Sequence, residues 1–272
     1  MIRKISDILL LSDLDGTLFD EPYGAACRVS AQNCEAVKRF IEKGGNFAIA
    51  SGRAHPFALE LIGDTKINAP SVFVNGGYLY NPETKEFSCQ VYIEDITREE
   101  VKNAVEEYGK VALAVYYTDD GQFQLIDRDD FHLAESETCG DKSQDNPASK
   151  VYKYMIFTHP ENINELVAFM KNRFGDKVEV VISANVLVEI LPKGNSKASG
   201  IKKLIESTGW DPENVIAVGD YYNDIEMLDI AGIAVAMGNA PDDVKAHADF
   251  CVKSCEEHGV ADLIERLEQT YL

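Results

Sequence analysis

Two carboxylates lie two residues apart in the run Asp13-Leu14-Asp15-Gly16-Thr17-Leu18. On an extended backbone, residues i and i+2 project to the same side, so both acids address one site. One carboxylate can attack phosphorus and form an aspartyl-phosphate. The other can pass a proton to the leaving oxygen and later take one from water. Two acids alone repel a phosphate, so this chemistry requires a cation. Gly16 lets the chain turn sharply and expose backbone N–H groups to an anion. In a chain with 46 acidic residues, a lone Asp-x-Asp is ordinarily an acidic turn capping a strand. Here it follows the apolar run ILLL, and three other segments supply matching chemistry.

Ala50-Ser51-Gly52-Arg53 ends a second apolar run. Its hydroxyl and glycine N–H can hold a phosphate oxygen, although Ser-Gly at a strand end is by itself usually a turn. Lys193-Gly194-Asn195-Ser196-Lys197 opens a helical pattern. A lysine in a helix's first turn meets the positive end of the dipole. In isolation it is a solvated surface lysine; the misfit makes sense if Lys197 and the helix end serve an anion. Lys193 is the competing candidate and ranks below it. Gly219-Asp220-Tyr221-Tyr222-Asn223-Asp224 brings two more carboxylates, Asp220 and Asp224. Hard oxygen ligands without His or Cys point to Mg²⁺. Asn223 can donate to the phosphate. The same residues also read as an Asx turn with a helix N-cap, which is compatible with that role.

The elements that must position these residues are short apolar runs ending in polar or glycine turns: ILLLSD (8–13), FAIASG (47–52), SVFVNGG (71–77), NVIAVGD (214–220), GIAVAMG (232–238) and, more weakly, DFCV (249–252). Apolar runs without alternation suit strands buried on both faces of a parallel sheet. Helical patterns lie between them. Ser30 is a candidate N-cap for AQNCEAVKRFIEK, which stops at Gly44-Gly45. NSKASGIKKLIEST, NDIEMLDIA and GVADLIERLEQTYL complete the set. Strands alternating with helices predict a doubly wound α/β layer, and ligands bind at the C-terminal edge of such sheets. All four segments fall at that edge.

Residues 82–190 differ. VALAVYYTD, GQFQLID, SKVYKYMIFTH, VEVVIS and VLVEILP are longer and more alternating, with a hairpin turn at TDDGQ (118–122). Helical patterns sit at TREEVKNAVEEYG and ENINELVAFMKNRFG, and 135–149 reads as a polar loop. This predicts an inserted α+β domain with an antiparallel sheet, inside a core formed by 1–81 and 191–272.

The four segments together resemble the motifs of the haloacid dehalogenase superfamily of phosphohydrolases. Their order and the place of the insert resemble its Cof-type, type IIB-capped branch. Asn75-Gly76-Gly77, Ala236-Met237-Gly238-Asn239-Ala240 and Glu257-His258-Gly259-Val260 are similar to further turns of that branch. The resemblance spans essentially the whole chain. It implies a Rossmann-like core with a cap, and Asp13 as nucleophile with Asp15 as general acid/base. Ser51 and Lys197 would hold the phosphoryl group, with Leu14, Gly16, Gly52 and Asn223 also on the substrate. Mg²⁺ would be bound by Asp13, Asp220, Asp224 and, through its backbone carbonyl, Asp15; Asp224 could instead support the ligands from behind. Ala198, Gly77 and Ser51 depart from the family's usual glycine, alanine and threonine, all small-for-small changes. The implied activity is a Mg²⁺-dependent phosphatase acting on a small phosphorylated metabolite, a sugar phosphate or a phosphorylated cofactor such as flavin mononucleotide or pyridoxal phosphate. A phosphomutase-type phosphotransferase and a non-catalytic phospholigand sensor are the alternatives. The cap would supply leaving-group contacts. Asn185 and His55 are weak candidates; His132, His159 and His258, Trp210 and the Tyr116-Tyr117 pair read as structural.

Composition narrows the partners. The chain has 272 residues with 26 basic and 46 acidic side chains, a net charge of −20. That charge argues against nucleic acid and anionic membrane surfaces, whose phosphates are held by Lys and Arg. No apolar run approaches the roughly 20 residues that span a bilayer. MIRKISDILLLSDLDG places two basic residues before an apolar stretch, as signal peptides do, but Asp7 interrupts it, and it reads as a first strand. The six cysteines form no CxxC or Cys/His metal spacing, which predicts reduced thiols in a cytoplasm. The expected assembly is a monomer or homodimer.

Overall fold

The computed structural model describes residues 4–21, 27–119, 121–127, 146 and 148–271. Two compact units emerge: Met1–Gln90 with Ser196–Leu272, and Val91–Asn195.

The first unit is built on a parallel sheet. Its strands are β1 (Leu9–Ser12), β2 (Asn46–Ile49), β11 (Val215–Gly219), β12 (Ile233–Ala236) and β13 (Phe250–Cys251), in the order β13-β12-β11-β1-β2. Every pairing is parallel, with Ser12 beside both Val218 and Ile49. All four residues of β1 and all five of β11 are buried, as expected for strands covered on both faces. The chain leaves β1 towards β2 and later returns to its other side as β11. That reversal opens a crevice beyond the C-terminal ends of β1 and β11.

Helices flank this sheet: α1 (Ala31–Glu42), α2 (His55–Ile62), α5 (Lys197–Thr208), α6 (Ile225–Ile230), α7 (Asp242–Lys245) and α8 (Gly259–Tyr271). Ser30 caps α1, accepting a hydrogen bond from the Asn33 N–H at 3.1 Å. Buried Asn33 then ties two elements, donating to the Leu18 carbonyl and accepting from the Ala261 N–H on α8. Leu9, Leu11, Ala48, Ile201, Leu204 and Ala217 pack into one core between sheet and helices.

The run 71–77 does not become a strand of this sheet. Only β3 (Ser71–Phe73) is extended, and it pairs antiparallel with β4 (Tyr78–Asn81), which pairs with β5 (Glu86–Ser88). A single parallel bridge, Ala50 to Val72, joins it to the end of β2. The cause is local: Val74 and Asn75 take φ of 56° and 49°, which ends the strand and reverses the chain.

The second unit is α+β. Its antiparallel sheet has the order β7-β6-β8-β10-β9, from β6 (Val111–Thr118), β7 (Gly121–Asp127), β8 (Val151–Thr158), β9 (Val178–Ala184) and β10 (Leu187–Pro192). Helices α3 (Arg98–Tyr108) and α4 (Ile163–Phe174) contribute Val101, Ala104, Leu166 and Met170 to a core shared with Tyr154, Ile156 and Val188. Thr97 and Glu100 form a capping box on α3. Alternation sends Val115, Met155, Phe157 and Leu187 to the other face, where they form a second apolar cluster. Lys153 and Glu189 lie among them, 4% and 1% exposed, joined by a hydrogen-bonded ion pair. Ser183 donates to the same carboxylate. Of the polar segment 135–149, all but 146, 148 and 149 lie outside the described residues, as does His132. No described helix is long and apolar enough to cross a membrane.

Candidate active site

The C-terminal ends of β1 and β11 bring together the residues that the sequence separates by about two hundred positions. Asp13 directly follows β1, and its N–H donates to Val218 O at 3.0 Å, locking it beside β11. Asp220 directly follows β11. Lys197 is the first residue of α5. Its ammonium, 1% exposed, donates to Asp13 Oδ1 and Asp224 Oδ1, both at 2.6 Å. The other Asp224 oxygen accepts from the Asp220 and Tyr221 N–H groups at 3.0 and 3.1 Å. Asp224 thus caps the turn and also anchors the lysine.

Two close approaches make this convergence possible. Gly16 has φ +72°, and a Cβ there would sit 2.3 Å from Asp220 Oδ2. Gly76 has φ +90°, and a Cβ would sit 2.2 Å from the Ser196 carbonyl. The first lets the turn after β1 pass under Asp220; the second lets the 74–77 turn pack on the start of α5, which carries Lys197.

Asp13, Asp220 and Asp224 each offer an oxygen within 4.8 Å of the others, and all three are buried. Burial pushes the Asp13 carboxyl up to about 7; Lys197 opposes this, while Asp224 and Asp15 add to it. Burial, then Asp13 and Asp224, pushes Asp220 up to about 8. Burial works against the Lys197 ammonium, but Asp13 and Asp224 more than offset it, so it stays charged well above the usual lysine range. One buried cation therefore faces three buried carboxylates. The oxygen-only donor set and this charge imbalance fit a hard divalent cation, whose charge would reverse the upward shifts.

Asp15 stands apart from that cluster. The strand ends at Ser12, and the tight turn Leu14–Leu18 follows, closed by Phe19 N–H donating to Leu14 O at 2.9 Å. Alternation no longer holds through it. Asp15 turns to Arg53, whose Nε and Nη2 donate to Asp15 Oδ2 and Oδ1 at 2.8 and 2.7 Å. Leu14 is fully buried. Ser51 is buried beyond β2: its N–H donates to Val72 O, and its hydroxyl oxygen accepts from the Arg53 N–H at 3.1 Å. Gly52 lies against the Asn75 amide, and Asn223 donates to that amide's oxygen at 3.5 Å. Lys193 is elsewhere, pairing with Glu179 in the second unit. Among the weaker candidates, Asn185 sits in the exposed turn between β9 and β10. His55 packs against Tyr78, Tyr80 and Phe87, and burial lowers it to about 4. Tyr116 belongs to the core of the second unit, and Trp210 packs on that of the first.

Sequence reasoning left four participants without roles. Thr17 donates to Asp220 Oδ1 at 3.0 Å. Asn239 donates to Gly16 O at 2.9 Å and Asp220 Oδ2 at 3.1 Å, and accepts from Cys255 N–H. Asn75 and Arg53 are the others. The signals were present, since each falls in a turn or motif of the sequence, but each has a partner far off in the chain: Arg53 lies 38 positions from Asp15, Asn75 148 from Asn223, Thr17 203 from Asp220 and Asn239 223 from Gly16.

Residues 10–264 match the family model described as haloacid dehalogenase-like hydrolase. The chain is 27% identical over 285 residues to Bacillus subtilis 5-amino-6-(5-phospho-D-ribitylamino)uracil phosphatase YwtE, covering 94% of this chain and 96% of that one. It is 29% identical over 276 residues to Escherichia coli pyridoxal phosphate phosphatase YbhA, covering 93% and 95%. It is 28% identical over 274 residues to the Arabidopsis thaliana chloroplastic endoribonuclease YBEY, where it spans 94% of its own length but only 46% of that protein. A HAD/COF-like hydrolase from Plasmodium vivax superposes with a TM-score of 0.82 at 25% identity, covering 97% of this chain and 96% of that one. The carboxylates after β1 and β11, the lysine opening α5 and the inserted α+β unit thus accompany a match along nearly the whole chain, which belongs to the haloacid dehalogenase-like hydrolase family, among its Cof-type phosphatases.

Proposed function

We propose that the chain hydrolyses the phosphomonoester of a small metabolite through an aspartyl-phosphate on Asp13. The observation that carries this reading is the buried grouping of Asp13, Lys197, Asp220 and Asp224 at one sheet edge. An Asp13 carboxylate oxygen attacks phosphorus as the bond to the ester oxygen breaks, and Asp15 supplies the proton that this oxygen takes. Water then attacks the aspartyl-phosphate, Asp15 takes its proton, and phosphate leaves. Lys197 fixes the rotation of the nucleophile through Oδ1 and offsets negative charge on the phosphoryl group. Mg²⁺ held by Asp13, Asp220 and Asp224, with the Asp15 carbonyl, would supply Lewis-acid charge neutralisation at the phosphoryl oxygens. Ser51, Leu14, Gly16, Gly52 and Asn223 are assigned to the phosphoryl group. The insert 82–190 is assigned to leaving-group selection. The relatives named for a phosphoribityl compound and for pyridoxal phosphate support a panel of sugar phosphates and phosphorylated cofactors as first substrates. The cysteines Cys27, Cys34, Cys89, Cys251 and Cys255 are free, which supports a reducing cytoplasmic setting.

The test is phosphate release from that panel in Mg²⁺ by the wild type and by Asp13→Asn. The expected loss in the variant is at least roughly 10³-fold, and EDTA abolishes wild-type release. Wild-type turnover by Asp13→Asn overturns the nucleophile; conversion of a hexose 1-phosphate to its 6-phosphate without free phosphate overturns hydrolysis.

A further inference from the structure

Of the four acids Asp13, Asp15, Asp220 and Asp224, Asp15 stays out of the acidic cluster, although it lies two residues from Asp13. Arg53 is the reason visible in the structure. Its guanidinium presents Nε and Nη2 as a fork, and both oxygens of Asp15 are engaged at 2.8 and 2.7 Å. A planar, two-point contact of this kind fixes the rotation of a carboxylate as well as its position. The Arg53 side chain is only 9% exposed, and Asp15 is 20% exposed.

The fork is itself held on several sides. The Arg53 N–H donates to the Ser51 hydroxyl at 3.1 Å. Its carbonyl accepts from the Val74 N–H at 3.1 Å. Val74 has φ +56°, a conformation that a β-branched residue rarely adopts and that surrounding structure must enforce. The guanidinium carbon lies 6.0 Å from the Phe19 ring centroid. Asp15, by contrast, sits on the tight turn Leu14–Leu18, beside Gly16 with its left-handed φ of 72°. The rigid partner of the pair is the arginine.

We propose that Arg53 is a positioning residue for proton transfer: it keeps the Asp15 carboxyl out of the metal-ligand cluster and aims it for the leaving oxygen. This rests on the hydrolytic reading above. It divides the labour of two neighbouring acids by giving each its own cation, Lys197 for the nucleophile and Arg53 for the proton carrier. The proton passes from the Asp15 carboxyl to the ester oxygen while the phosphorus–oxygen bond breaks and the Asp13–phosphorus bond forms. Loss of Arg53 therefore hurts esters in proportion to how much their leaving oxygen needs that proton.

The experiment compares kcat/KM for an alkyl phosphate and for p-nitrophenyl phosphate, whose leaving oxygen is stable without a proton. The wild type, Arg53→Met, Arg53→Lys and Asp15→Asn are assayed in Mg²⁺, and thermal melts confirm that each is folded. For Arg53→Met, kcat/KM on the alkyl ester falls about 10²-fold, and on the aryl ester only about threefold. Asp15→Asn shows the same split, and adding it to Arg53→Met costs little more, because the two act as one unit. Arg53→Lys keeps the charge without the fork and recovers only part of the loss; it decides the matter if Arg53→Met does not fold. Equal losses on both esters, carried by KM, overturn the proposal in favour of phosphate binding. Unchanged kinetics in Arg53→Met overturn it outright. Wild-type protein that releases phosphate from neither ester overturns the hydrolytic reading, and the proposal with it.

Discussion

At the scale of single residues, the site works by assigning partners to charges. Lys197 bridges Asp13 and Asp224, Thr17 and Asn239 hold Asp220, and Arg53 takes Asp15. Each buried carboxylate is thereby oriented, and an unoriented one would be costly. The residue types were legible in the sequence: paired acids, a lysine in a helix's first turn, acids after an apolar run. The pairings were not, because Arg53 is 38 residues from Asp15 and Asn239 is 223 from Gly16. Gly16 offers a direct check. Gly16→Ala forces a left-handed backbone on a residue with a Cβ, costing roughly 1–2 kcal/mol. It also drives that Cβ towards Asp220, 2.3 Å away in the present geometry. The expected outcome is a lowered melting temperature together with a raised Mg²⁺ requirement for phosphate release, measured by titrating the metal. A variant with normal metal dependence would mean that Asp220 can step aside without consequence.

At the scale of elements, the strand ends do the positioning. β1 and β11 are parallel and in register, so Asp13 and Asp220 fall at adjacent C-terminal ends without any help from loops. The apolar runs 8–13 and 214–220 announced both strands. The run 71–77 announced its turn but not its pairing: β3 folds back antiparallel onto β4, with the left-handed Val74 and Asn75 held by hydrogen bonds to the Arg53 and Ser51 carbonyls. The alternating strands of the insert likewise predicted an antiparallel sheet, and five such strands formed. Alternation alone could not show that Lys153 and Glu189 would be buried together on one face. That pair makes a prediction at this scale. Lys153→Met leaves the Glu189 charge buried without its cation and costs about 3–5 kcal/mol. Lys153→Met combined with Glu189→Leu recovers most of it. Urea unfolding of the two variants measures both; equal stability of the single variant and the wild type would show that the pair contributes nothing.

At the scale of the whole molecule, the charge of −20 is a field that an anionic substrate must cross. Three of the 46 acids, Asp13, Asp220 and Asp224, are buried together where Lys197 and a divalent cation would neutralise their charge. The long-range field is screened by salt, while the buried site is screened much less. Raising NaCl from about 20 mM to about 150 mM shortens the Debye length from roughly 20 Å to roughly 8 Å. The expected result is a rise in kcat/KM for a phosphoester dianion, of about twofold, at constant free Mg²⁺. A fall would show that local attraction by Lys197 and a bound cation, not the net charge, governs encounter.

The sequence by itself determined the α/β layering, the inserted α+β unit and the strand-end and helix-start places of the acids and the lysine that gather at the sheet edge. Apolar runs, alternation and strand-end motifs are local patterns, and local patterns survive in a one-dimensional string. The tertiary structure alone decided that Asp15 belongs to Arg53 rather than to the acidic cluster, and that Thr17 and Asn239 close around Asp220. Those choices depend on which side chains arrive at the same few ångströms after the sheet is assembled. Charge pairing and hydrogen-bond satisfaction are settled there, between residues whose order along the chain carries no trace of their distance in space.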